Sequence, residues 1–321
     1  MNESVSIPPA AIRHNYIDPQ RGFLRRRITN QVFLSLTGAV TLLSLVPLFW
    51  ILGYVFYKGS QYINLAFFTN TPTPPGIPGG GVLHAIEGTI LLSLLAGIFS
   101  IPPGVLAAFY AVQHPNTPLG VAVRFGTDVL SGVPSIVIGI FGYALIVKPA
   151  GHYSALAGGV ALAILMVPII IRTTEEMLKL VPQSLREGSL ALGAPEWKTA
   201  ARVTFPAAIN GILTGFLLGL ARASGETAPL LFTALGNDRF EIGKMVSSGL
   251  HSGQSLPVVL YNILQQPVDS LPLTLFKYTQ QPDPERLNQS WAVAMVLMAL
   301  VLITNLGTKL WVNYRSGKIK S

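Results

Sequence analysis

Six apolar runs alternate with polar connections along this chain: Gln31–Tyr57, Ile86–Val112, Val121–Val147, Tyr153–Ile171, Ala207–Leu235 and Trp291–Trp311. A hydrocarbon core takes about 20 helical residues, and each run can supply them. The pattern therefore predicts six transmembrane helices and an all-α integral membrane protein. The third to sixth runs contain or border on charges or chain breakers, which leaves their ends open by a few residues. A polar tail is expected over residues 1–28, the membrane domain over 29–315, and a short tail over 316–321.

An even number of spans puts both termini on one side, and basic residues choose the side. The N-terminal stretch carries Arg13, Arg21 and Arg25–Arg27, the loop Arg172–Arg202 carries five basic residues, and Arg315, Lys318 and Lys320 end the chain. Loops on the cytoplasmic face collect Lys and Arg, so these three segments are expected there. The opposite side has Lys58, Lys148 and four basic residues spread over Gly236–Ser290. No early apolar core with a cleavage site is visible, so no removable signal peptide is expected.

Composition agrees with a membrane protein, with half the residues hydrophobic and only 11% charged against about 25% in soluble domains. Cysteine is absent, which excludes disulfides, thiolate metal sites and cysteine nucleophiles. No His/Asp/Glu set has metal-ligand spacing and no Gly-rich nucleotide cradle is present. The chain is accordingly expected to be no enzyme and to hold no cofactor. Any ATPase must be another chain. The Pro/Gly-rich stretch Thr71–Gly81 is read as an irregular connector. The segment 236–290 mixes apolar runs with prolines and is expected against the outer membrane face.

Charges inside apolar runs are costly and line a pathway or pair with one another. Arg222 and Glu226 lie four residues apart in the fifth run, and on a helix they share a face. Gly225 and Pro229 flank Glu226 and predict a local break. Arg172 precedes Glu175 and Glu176 at the end of the fourth run. Arg124 and Asp128 form another four-residue pair in the third run, read as a packing pair. His84 and Glu87 sit at the margin of the second run, where Glu87 is a candidate cap for that helix.

Between the fourth and fifth runs lies a charged stretch, Glu187–Pro206, reading EGSLALGAPEWKTAARVTFP. Ser184 as N-cap with Glu187 three positions on predicts a capping box. Gly193 predicts a C-cap and Pro195 a restart at a first-turn position. Glu196–Arg202 then forms a short second helix, and Pro206 opens the next span. A charged helical turn between two membrane spans is expected to be a docking surface for a partner on one face.

The spacing resembles the EAA loop of ABC importer permeases, with Gly188 and Ser189 in place of two alanines, Val203 in place of Ile and Phe205 in place of Leu. SGVPSIVIGIFG at Ser131–Gly142 is similar to a stretch of phosphate-specific ABC permeases. ARASGETAPLLFTA at Ala221–Ala234 resembles the PstA-type subunits of that family, and Glu87–Tyr110 is similar to their second span. The resemblance covers roughly residues 80–310. It implies a MetI-like, type I importer permease in the bacterial inner membrane, serving an ATP-driven importer of inorganic phosphate. It further implies a PstC-like permease partner, two copies of a PstB-like ATPase and an extracytoplasmic phosphate-binding protein. Transport residues of the family match Arg172, Glu175 and Arg222, to which the spacing adds Glu226. ATPase coupling falls on Glu187, Gly193, Ala194, Pro195 and Pro206. The alternatives are a permease for another oxyanion, such as molybdate or sulfate, and an ion-coupled secondary carrier using Arg222 and Glu226.

Overall fold

The computed structural model describes residues 19–319, apart from residues 75 and 78. The expected tail over residues 1–18 and the last two residues lie outside the described residues. The chain divides into two units, Met1–Tyr54 and Val55–Ser321. The described part of the first is one helix, α1 (Pro19–Gly59), which runs on into the second unit. Residues 19–28, expected as tail, are already helical.

The second unit continues with α2 (Leu65–Thr69), the connector 71–81 and α3 (Leu83–Gln113). Next come α4 (Pro118–Gly132) and α5 (Ser135–Gly142), which passes through a π turn at Tyr143–Val147 into α6 (Lys148–Ala150). After α7 (Ala155–Lys179) and α8 (Gln183–Ala191), α9 (Glu196–Thr199) runs through a second π turn, Ala200–Thr204, into α10 (Phe205–Ala223). Four further helices follow: α11 (Ala228–Thr233), α12 (Ile242–His251), α13 (Leu256–Leu264) and α14 (Leu271–Gln280). The last element is α15 (Pro284–Ile319), so the polar end from residue 316 is helical to Ile319.

Helix α7 is the centre of the second unit: 67% of its most apolar stretch is buried, more than in any other long apolar helix described. Helices α3 and α10 pack against it, and Leu92, Leu95, Leu162, Met166, Ile170 and Leu230 fill the core. Lipid tails are as apolar as leucine, so helices in a membrane associate through close packing that small residues permit. A Cβ on Gly159 would stand 2.5 Å from that of Leu95, and one on Gly215 would stand 1.9 Å from Thr173 Oγ1. Only hydrogen fits at these two crossings.

Two apolar runs depart from the expected single helices. The third is split, with the axes before and after the break turned by 103°. Pro134 disfavours helical geometry in the residue before it, and Val133 is extended at φ −72°, ψ 128°. Among the described residues, five helices are thus long and apolar enough to span, and the count reaches six when the bent pair is one span. The fifth run is helical from Glu196, with no separate helix ending at Arg202, and it stops at Ala223. Each π turn lies just ahead of a proline inside the helical run, Pro149 and Pro206. A proline ring clashes with the carbonyl four residues back, and a widened turn relieves that clash.

The segment 236–290 is largely helical and belongs to the core. Phe240, Val259, Ile263 and Val268 are buried in the same cluster as Leu92 and Met166. Glu87 caps a different helix from the one expected: its carboxylate accepts Ile242 N at 2.7 Å, at the start of α12. The connector 71–81 is irregular but fastened to the start of α15, where Glu285 Oε1 accepts Gly79 N at 3.0 Å and Gln289 Nε2 donates to Gly79 O at 3.0 Å.

Candidate functional site

The four-residue spacing of Arg124 and Asp128 places both on the face of α4 that meets α7, and each pairs with α7 rather than with the other. Arg124 Nε lies 2.8 Å from Glu175 Oε1, and Lys179 Nζ reaches the same oxygen at 2.8 Å. Arg124 also donates to Ala111 O at 2.8 Å and Pro115 O at 3.2 Å. A cation there suits the last carbonyls of α3. Asp128 pairs with Arg172. The expected packing pair within α4 is therefore two ion pairs across two helices. The Glu175 side chain is only 5% exposed, whereas Arg172 and Asp128 are each about half exposed, at 54% and 55%.

Arg222 sits in the last turn of α10, and the chain leaves the helix at Ser224 before restarting at Ala228. The break falls where Gly225 and Pro229 predict it. Arg222 Nε remains 3.5 Å from Glu226 Oε1 across the break, with side-chain exposures of 54% and 19%. Ser224 Oγ meets Ser93 Oγ of α3 at 3.1 Å, tying the break to the bundle. Gly215 of α10 faces Thr173 of α7. Arg222 lies seven residues beyond Gly215, roughly 10 Å along an axis that rises about 1.5 Å per residue. The Arg172 and Arg222 pairs thus stand at two depths of the bundle.

At the end of the bundle carrying the C-terminus of α7, the chain forms the expected two-part turn with a different start. Helix α8 begins at Gln183 after Pro182, with no side-chain cap, so Ser184 lies inside the first turn and makes no capping box with Glu187. Pro182 sets this start, because proline suits the margin of a helix and cannot donate inside one. The far end follows expectation. Gly193 has φ +81°, Gly193 N donates to Leu190 O at 2.9 Å, and Ala194 N donates to Ser189 O at 3.2 Å. Those two bonds make the reversed hydrogen-bond pair of a glycine-terminated helix. Pro195 is the N-cap of α9, and Pro206 lies within the continuous helical run, not at its start. Ser189 and Thr199 join the two parts at 2.8 Å, and Arg186 ties α8 to Gln113 of α3. No residue of α8 is buried; Glu187 is exposed, and Leu192 and Trp197 are 90% and 72% exposed.

An ionic cluster lies at the opposite end, with His84 and Asp269 buried and Asp238 exposed, drawn from positions too far apart for sequence spacing to reveal. His84, Asp238 and Asp269 each bring a ligand-type atom within 4.8 Å of the others. The cation between the carboxylates is Lys277, which pairs with Asp269 and reaches Asp238 Oδ1 at 2.6 Å. His84 Nε2 stands 3.5 Å from Asp269 Oδ2, an ion-pair distance without a formed hydrogen bond. Burial pushes the Asp269 carboxyl up, but His84 and Lys277 outweigh it and hold it below the usual carboxylate range. Burial pushes Lys277 down, and Asp269 and Asp238 more than restore it, raising it above the usual lysine value. A cavity of about 750 Å³ between α3, α10 and α15 is lined by groups such as Ile90, Leu94, Phe216 and Leu300. The hydroxyl residues Thr89, Ser93, Ser224 and Thr304 also line it, and none of the paired charges does.

Apolar helices around a broken span, with paired charges at two depths and an exposed turn between α7 and α10, define an integral membrane transport protein. The chain belongs to the family of binding-protein-dependent transport system inner membrane components, whose model matches residues 100–310. Within it, the chain is 41% identical to the phosphate transport system permease protein PstA of Yersinia pestis, over 88% of this chain and 89% of that one. It is 36% identical to the probable phosphate transport system permease protein PstA of Methanocaldococcus jannaschii, over 86% and 91%. A bacterial ABC transporter involved in import of the acidic polysaccharide alginate aligns at TM-score 0.58 and 13% identity, over 91% of this chain and 98% of that one. The MetNI methionine ABC transporter in an inward-facing conformation aligns at TM-score 0.54 and 17% identity, over 73% and 95%. These two likenesses concern the fold alone. It is the all-α, MetI-like importer fold expected from the sequence, and family membership leaves no place for the ion-coupled carrier.

Proposed function

We propose that this chain is the transmembrane permease subunit of an ATP-driven importer of inorganic phosphate, with ATP hydrolysis in a separate chain. The observation that carries the reading is the pair of half-exposed guanidinium groups, Arg172 of α7 and Arg222 of α10, on two helices long and apolar enough to span. A charge within a membrane span is costly, so these half-exposed faces meet water or a second subunit rather than lipid. Arginine stays charged, and its planar fork can bond two oxygens of one phosphate. Each arginine has a carboxylate that competes for it, which keeps an anion site weak enough to release its load. Glu175, held by two cations, fixes the α4–α7 contact beside the path.

In this reading α8 and the start of α9 dock onto the ATPase. Glu187, Gly193, Ala194 and Pro195 shape the exposed turn, and Pro206 lies in the helix that carries its movement into α10. The partners are a PstC-like permease, a PstB-like ATPase dimer and an extracytoplasmic phosphate-binding protein. Residues 1–28, the α7–α10 connection and residues 315–321 face the cytoplasm. The names of the curated relatives support phosphate over other oxyanions. The test is co-purification with an ATPase subunit, together with phosphate uptake in vesicles. Uptake that stops with a non-hydrolysable ATP analogue is the expected result. Uptake that continues unchanged, with no ATPase bound, contradicts the reading.

A further inference from the structure

We propose that Asp128 is a positioning residue of transport, holding the Arg172 guanidinium when the permease is empty and yielding it to a tetrahedral oxyanion as the anion passes. The proposal rests on the reading that Arg172 lies on the anion path. It starts from a contrast between two ion pairs on one face of α4. Arg124 is anchored: it holds a nearly buried carboxylate, a carbonyl in the last turn of α3 and one in the α3–α4 connection. Removing one partner of a largely buried pair leaves the other charge uncompensated, so this contact is a fixture. Asp128 and Arg172 are both about half exposed, and Asp128 engages the guanidinium through Nη2. A solvent-exposed pair holds weakly, well within what an arriving anion can replace.

The chemistry of exchange follows from shape. A carboxylate and a phosphate present oxygens to an arginine fork in the same planar manner, so one can take the other's place without moving the helices. Arg124 and Lys179 share the carboxylate of Glu175, and with exposed Glu176, one turn from Arg172, these four groups carry no net charge. Asp128 is the counter-charge that keeps this corner from holding an anion permanently. Arg222 and Glu226 repeat the device at the second depth, at 3.5 Å. An oxyanion would meet two arginines, each already shared with a carboxylate. Sequence spacing hides the role of Asp128, because Arg124 one turn away looks like its partner.

The experiment uses the complete transporter in vesicles and compares phosphate uptake by wild type, Asp128→Asn, Asp128→Glu and the Asp128→Asn/Arg172→Gln double variant, with ATPase co-purification scored in each. Loss of the competing charge should let Arg172 hold phosphate too well. Asp128→Asn is expected to lower KM several-fold and maximal rate about tenfold, and Asp128→Glu to restore both toward wild type. The double variant is expected to assemble and to transport nothing. Unchanged KM in Asp128→Asn, whether the rate falls or not, overturns the proposal. So does a double variant that assembles and transports while Asp128→Asn does neither, because the pair would then serve packing alone. Wild-type vesicles that take up sulfate and not phosphate would overturn the phosphate reading instead, and the same KM comparison made with sulfate would still judge Asp128.

Discussion

Arg222 shows how one charge can be kept in an apolar span without becoming a trap. Glu226 lies beyond the end of α10, on a turn that starts at Ser224, so its carboxylate can move with the turn while Arg222 stays on the helix. Arg222→Gln is expected to abolish phosphate uptake while the ATPase still co-purifies. Arg222→Lys should retain part of it, since charge is kept and the fork is lost; a hydrogen bond to a charged group is worth about 1.5–3 kcal/mol, or roughly a tenfold loss or more. If Arg222 served packing alone, Arg222→Gln/Glu226→Gln would recover both assembly and uptake. Transport assays on these three variants decide the matter. At this scale the sequence marks the charged residues in the spans and is silent about their partners. Helical spacing marks a shared face, and Arg124 and Asp128 do share one, but that face meets α7, whose own charges at 172 and 175 take up both. The His84–Asp269–Lys277 cluster was invisible for a related reason: its members come from α3, a loop and α14.

Elements were legible where local chemistry decides and illegible where a neighbour does. The C-terminal end of α8 follows from Gly193, because few residues other than glycine sit easily at φ +81°. Its start did not follow from Ser184, because Pro182 two positions earlier already begins the helix. The third apolar run looked continuous, yet a single Val-Pro step turns it by 103°. Helices α12–α14 were missed because their apolar positions pack into a core assembled from distant spans. Gly193→Asp tests the coupling turn. A Cβ there meets no neighbour, so the cost is local: about 1–2 kcal/mol for a left-handed residue with a side chain, plus an unfavourable negative charge at a helix C-terminus. The variant should reach the membrane and bind the ATPase, whose hydrolysis then proceeds with uptake reduced severalfold or more. Normal uptake per ATP hydrolysed would remove Gly193 from the coupling role.

At the scale of the molecule, the second unit carries half-exposed ion pairs at two depths and a salt-bridged cluster at the end where α3 begins. The end holding Lys277 and Asp269 is pinned electrostatically, and the sign of its pH dependence follows from the two shifts. Asp269, depressed when folded, stabilises above the ordinary carboxylate pKa and loses that contribution only as pH falls through its lower folded value. Lys277, raised when folded, contributes fully below the ordinary lysine pKa and loses it only at higher pH. Thermal unfolding in detergent should show no loss from this pair between about pH 5 and pH 9, and Asp269→Asn should lower stability by about 3 kcal/mol. Orientation is open to a single-cysteine experiment, because the native chain has no Cys. Cysteine at the exposed position of Leu190 should react with an impermeant reagent in inside-out vesicles and not in intact cells; the reverse would put α8 on the outer face. The central claim, that this bundle passes phosphate at the expense of ATP, is tested most directly by competition in vesicles holding the complete transporter. With ATP inside the assay, unlabelled phosphate should suppress uptake of radiolabelled phosphate while equal sulfate or molybdate leaves it intact. Suppression by sulfate or molybdate, or uptake that needs no ATP, would contradict the account.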